Sequence, residues 1–196
     1  MLWTDVPRGL TLITAPTAEP LSYAEIKAQL QRNSDEHEAL LSDLIVAARQ
    51  KVEEDTGLKL LSQTWDLTLD AFPDDAIYLP LEPLQSVTSI TVTNTAGVAA
   101  VVATSNYLVV TAGHPPRIVL SDTGTWPSDI RRAAGIVVRV VVGYSSAALV
   151  PRPLVTAVGD LVAVWFAERV GGQYVPVPPR FGYDAKIAPY RRPGVA

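Results

Sequence analysis

The chain has 196 residues, 48% of them apolar and 18% charged, with a net charge of −4 and no cysteine. That length and apolar content allow one ordinary domain or two small ones with a buried core, and exclude global disorder. The absence of cysteine excludes disulfides, thiolate metal sites and thiol nucleophiles together, and it suits a reducing compartment.

No secretion signal is expected, because "MLWTDVPRGL" lacks a basic stretch followed by an apolar run. No segment approaches the roughly 20 apolar residues of a membrane span, so no membrane partner is expected. Charge is unevenly spread. Residues 1–57 hold 5 Lys/Arg against 10 Asp/Glu, whereas residues 151–196 hold 6 against 3. An acidic front and a basic end favour head-to-tail docking with a like subunit or a charged partner; surface scatter is the plainer reading.

In chain order, residues 1–20 read as an extended N-terminal arm punctuated by Pro7, Gly9, Pro16 and Pro20. Ser22 and Glu25 form a capping box, which predicts a short helix over about 23–31. Asn33 and Ser34 are N-cap candidates for a second helix, with Asp35, Glu36 and Glu38 in its first turn. Leu40, Leu41, Leu44, Ile45, Ala48 and Val52 give that helix an apolar stripe. Gly57 is placed to end it in a left-handed turn. Alternation then takes over: Trp65, Leu67 and Leu69 face one way and Thr64, Asp66, Thr68 and Asp70 the other.

Residues 60–143 predict six to eight short strands, including "SITVTN", "VAAVVA", "NYLVV" and "RIVL". "IVVRVVV" is apolar on both faces apart from Arg139, which predicts a strand covered on both sides. Pro151 and Pro153 open a third helix over about 152–170, with Leu154, Val158, Leu161, Val162 and Trp165 as its stripe. The Pro-rich, basic and aromatic end is expected to be ordered only by a partner, with one helical turn near 183–188.

The predicted fold class is α+β. A small bundle of two N-terminal helices and one C-terminal helix (21–57 with 151–171) carries an inserted all-β module (58–150) and an extended C-terminal tail (172–196). The expected bundle core is Leu40, Leu44, Ala48, Leu154, Val158, Leu161 and Trp165; the expected β-module core is Trp65, Leu67 and Leu69.

Catalytic signals are weak. His114 sits in "AGHPPR" and reads as a turn residue, His37 as part of a solvated helix start, and no G-x-S-x-G elbow is present. Asp74-Asp75 and Glu53-Glu54-Asp55 lack calcium-loop spacing. No phosphate-binding Gly-rich loop opens a helix, and the doublets Arg131-Arg132 and Arg191-Arg192 are too sparse for a nucleic-acid stripe. No catalytic residue, metal or cofactor is expected.

The run "VEEDTG", then "LLSQTWDLTLDAFP", then "IYLPLEPLQSVTSITV", resembles the head–tail connector (adaptor) proteins of long-tailed phages, prophages and gene transfer agents. "PTAEPLSYAEIKAQL", "VVVGY" and "VPRPLVTAVGDLVAVWFAERV" extend the resemblance across residues 14–170, carried by order and spacing rather than by one diagnostic motif. The resemblance implies a structural protein assembled in the bacterial cytoplasm and located at the head–tail interface of a particle. It implies a ring of identical subunits, usually twelve, beneath the portal protein, with a stopper or tail-completion protein on its far side. DNA would pass through without sequence-specific binding, and acidic helices near the channel would repel phosphates. The resemblance also implies a C-terminal arm reaching the portal, with Tyr174, Val175, Arg180, Phe181, Tyr183, Tyr190, Arg191 and Arg192 as its candidates. Arg and aromatic residues often dominate interfaces, and pre-extended Pro segments lose less entropy on docking. The alternatives are a tail or baseplate binding module with Trp65 and Trp126 as exposed stacking platforms, and a hydrolase using His114 and Asp122.

Overall fold

The switch from a 3.6-residue to a 2-residue apolar period at Gly57 separates two structural units. A computed structural model describes residues 8–31, 35–170 and 181–192. Within them, one unit contains 8–15 and 62–143, and the other contains 16–61 with the chain from Tyr144 onward.

The helical unit begins with α1 (Tyr23–Gln29). Ser22 Oγ accepts the Glu25 amide at 3.2 Å, and the Glu25 carboxylate accepts the Ser22 amide at 2.8 Å. These bonds satisfy two amides that the first helical turn leaves without carbonyl partners. α2 (Glu38–Thr56) starts later than its acidic run suggests. Asp35 and Glu36 precede it, and Asp35 instead accepts hydrogen bonds from Tyr23 Oη at 2.8 Å and from Lys27 Nζ. His37 is the N-cap, its ring edge-on to Phe166 at 5.4 Å. Asn33 and Ser34 lie outside the described residues.

α3 (Arg152–Val170) supplies Leu154, Val155, Val158, Val162 and Phe166 to the core that Leu41, Ile45, Ala48 and Val52 of α2 complete. Leu40, Leu44, Leu161 and Trp165 are half-buried and flank this core. Gly57 ends α2 at φ +74°, its amide reaching Glu53 O at 2.9 Å. A side chain rarely tolerates that left-handed conformation.

Leu58, Leu60 and Leu61 then fold back into the helical core, as does Val150. The longer segment of the β unit therefore runs from Ser62 to Gly143 rather than over 58–150, and residues 8–15 join it. The reversal is pinned by charge. Glu53, buried on α2, accepts the Leu60 amide at 2.9 Å and pairs with Arg49 at 3.2 Å and Lys59 at 3.5 Å. Arg49, also buried, reaches Glu19 at 2.8 Å.

The β unit has two antiparallel sheets sharing one apolar core. Its strands are β1 (Arg8–Thr14), β2 (Gln63–Leu69), β3 (Ala76–Tyr78), β4 (Leu84–Thr93), β5 (Ala99–Val101), β6 (Tyr107–Val110), β7 (Arg117–Leu120) and β8 (Ile136–Val142). Five strands are ordered β1-β2-β8-β4-β5, and three are ordered β3-β7-β6. Residues 8–14 of the expected arm thus form an edge strand, paired with β2.

β8 is central, and its burial alternates: Ile136, Val138, Val140 and Val142 are buried, while Val137, Arg139 and Val141 are half-buried. The expectation of two covered faces is corrected here. The β-branched run reflects a strand flanked by two neighbours. Its second face is polar enough to carry a bidentate pair, Arg139 to both oxygens of Asp66 at 2.8 Å. Leu67 and Leu69 are buried; Trp65 is half-buried, its indole N–H donating to Gln63 Oε1 at 2.9 Å.

Candidate docking surfaces

The C-terminal segment was expected to wait for a partner, and its described part does not. α4 (Phe181–Ile187) and the 3-10 turn Ala188–Tyr190 pack on the helical unit of their own chain. Ile187 is completely buried, and Tyr183 and Tyr190 pack against the same core half-buried. Tyr183 Oη donates to Asp55 Oδ2 at 2.8 Å, Lys186 pairs with Asp160, and the Arg192 amide donates to Thr56 O at 3.0 Å. The physical reason is spacing. Tyr183 and Ile187, four apart, make one apolar face on a helix too short to persist alone, and the bundle supplies what that face needs.

Burial pushes the Tyr183 phenol well above its ordinary range, and the Asp55 carboxylate beside it adds to the shift. Burial also raises Asp55, but hydrogen bonds from Lys51 and Tyr183 outweigh it and hold that carboxyl below its usual value.

Of the expected arm residues, Tyr174, Val175 and Arg180 lie outside the described residues. Phe181 begins α4. Arg191 is exposed, and its side chain pairs at the surface with Asp184 at 2.7 Å. Of the residues that receive the segment, Asp55 was weighed in the sequence only as part of an acidic run, and Thr56 and Asp160 were not singled out. Nor was the Glu19–Arg49–Glu53 network, although Arg49 and Glu53 stand at the i, i+4 spacing of a helical ion pair.

The alternative sites are otherwise employed. His114 Nδ1 meets the buried Glu82 at 2.9 Å, and Asp122 is exposed in the 121–135 loop. Asp75 Oδ1 accepts the Ala76 amide at 2.7 Å. Among the described residues no cluster of three His or acidic side chains could hold a metal, and no helix is long and apolar enough to cross a membrane. Trp126 is half-buried and already engaged in stacking: Phe72 stacks on it at 4.3 Å and 8°, with Tyr107 at 6.3 Å.

Residues 22–112 match the family described as phage gp6-like head-tail connector protein. Solved structures of chains from gene transfer agent particles agree along nearly the whole length. A chain from the neck of an empty gene transfer agent particle, with C6 symmetry, is 25% identical with a TM-score of 0.80, covering 94% of this chain and 95% of that one. A chain from the neck of the native particle, with C12 symmetry, is 27% identical with a TM-score of 0.77 and the same coverage. A chain from the native gene transfer agent virion is 25% identical with a TM-score of 0.76, covering 93% and 95%. No curated protein sequence matches the chain. Together the connector family and these necks support a structural connector role in a particle, and both consist of structural neck proteins rather than enzymes.

Proposed function

We propose that the chain is one subunit of a ring seated beneath the portal of a phage or phage-like particle. The ring, of about twelve copies, extends the DNA channel and presents a platform to the stopper or tail-completion protein. It assembles in the bacterial cytoplasm, and DNA passes through its channel without sequence-specific binding. The observation that carries this reading is the end-to-end similarity to a neck chain in a C12 arrangement. Uneven charge along the chain and two units of different make-up, one helical and one β, suit heterologous contacts, in which each copy offers two different faces.

The C-terminal segment carries the portal contact in this proposal, through its outward Arg191 and the stretch leading into α4 rather than through Tyr183 and Ile187, which serve the chain's own bundle. Mixing purified portal rings with the full chain tests the proposal by sedimentation. The chain should co-sediment at a fixed ratio to the portal; a chain that keeps its own sedimentation rate at every ratio contradicts it. The binding-module alternative is disfavoured by the stacked Trp126.

A further inference from the structure

Most of the exposed large apolar side chains among the described residues lie on edge strands or their hairpins; Leu120 on β7 and Leu149 are the exceptions. Leu10, Leu12 and Ile13 lie on β1, and Val98 and Val101 lie on the β4–β5 hairpin. β1 and β5 are opposite edges of the same five-stranded sheet, and no described strand pairs with the outer side of either. Monomeric proteins guard such edges with Lys, Pro or inward charge. Here residues 9–14, "GLTLIT", and 98–101, "VAAV", contain no charge and no proline.

On β1 the exposure has a local cause. Leu10 and Leu12 stand opposite Leu67 and Trp65, on the sheet's core-facing side, yet remain 42% and 44% exposed because the core stops short of them. The register slips between Leu12 and Thr14, which leaves Ile13 as an extra, outward residue. The three-stranded sheet has one apolar edge, at Leu108 and Val109 of β6, while Ala76 and Ile77 on its other edge are buried. Only the larger sheet offers an apolar patch at both ends.

A ring built from one repeated contact needs two different patches on opposite sides of each copy. Four strand spacings place β1 and β5 about 19 Å apart. We propose that the β1 patch of one copy, Leu10, Leu12 and Ile13, packs against the 98–101 hairpin of a second copy; this rests on the ring reading above. The contact is through side chains and not a hydrogen-bonded continuation of the sheet. A twist of roughly 20–25° per strand turns β5 by about 80–100° from β1. Copies in a C12 neck are related by only a twelfth of a turn.

The cysteine-free chain permits a direct test. Leu12→Cys and Val101→Cys are introduced singly and together, and particles or portal-bound complexes are treated with a short bis-maleimide. The double variant should yield a ladder of multiples of the monomer, and a mixture of the two single variants should yield dimers. Each single variant alone, and Leu149→Cys at another exposed site, should yield monomer. Equal dimer formation by Leu12→Cys alone would mean that β1 meets β1, and overturns the proposal. Normal incorporation into the neck without cross-linking overturns it too, while leaving the connector reading intact. Wild-type chain absent from the neck overturns both.

Discussion

Tyr183 donates its hydroxyl to Asp55 at 2.8 Å across 128 residues of sequence, tying the C-terminal helix to the last turn of α2. The bond predicts a pH window. The Tyr183 phenol ionises in the folded chain above its ordinary value of 10.0, so its contribution is complete below about pH 10 and is lost as the pH rises beyond that. Asp55 is held below its ordinary 3.8, so its contribution is present above that value and is lost as the pH falls beneath it. Amide-exchange protection of residues 181–190 should therefore plateau between these limits and fall outside them. Tyr183→Phe should lower the plateau by about 1.5 kcal/mol and abolish the alkaline loss specific to this segment. An unchanged alkaline loss in Tyr183→Phe would contradict the assignment.

Glu53→Ala removes the buried carboxylate that Arg49, Lys59 and the Leu60 amide share. Leaving a buried guanidinium and amide poorly matched should cost about 3 kcal/mol in the unfolding of the helical unit. Glu53→Gln keeps an acceptor for Leu60 and should cost less. Chemical denaturation followed by circular dichroism measures both, and a loss below about 1 kcal/mol for Glu53→Ala would refute the account of the turn.

Trp126, stacked on Phe72, should respond to solvent only when that neighbour is removed. In a variant retaining Trp126 as its single tryptophan, acrylamide should quench emission weakly, and Phe72→Ala should increase the quenching constant several-fold. The stacking geometry itself contributes about 1 kcal/mol. Soluble saccharides should leave the emission unchanged. A saturable change on adding a saccharide would favour the binding-module alternative.

What could be read from sequence was local. The Ser22–Glu25 capping box, the left-handed Gly57 and the stripes on α2 and α3 each depend on neighbours within a few residues, so spacing alone exposes them. The docking of α4 could not be read this way. A helical turn near 183–188 was expected, but so short a helix does not show where it packs, and Ile187 finds its site against helices far away in sequence. The β1–β2 pairing was hidden for a similar reason: "RGLTLIT" reads as extended chain whether or not it has a partner. Trp65 was expected to be buried, but it stands opposite Leu12 on β1, where the core thins out.

Electron microscopy of the full chain bound to its portal tests the central claim most directly. The account predicts a closed ring of this chain, continuous with the portal channel and with its copies in a repeated head-to-tail contact. A portal end bare of this chain, or copies attached elsewhere on the particle without ring closure, would contradict it.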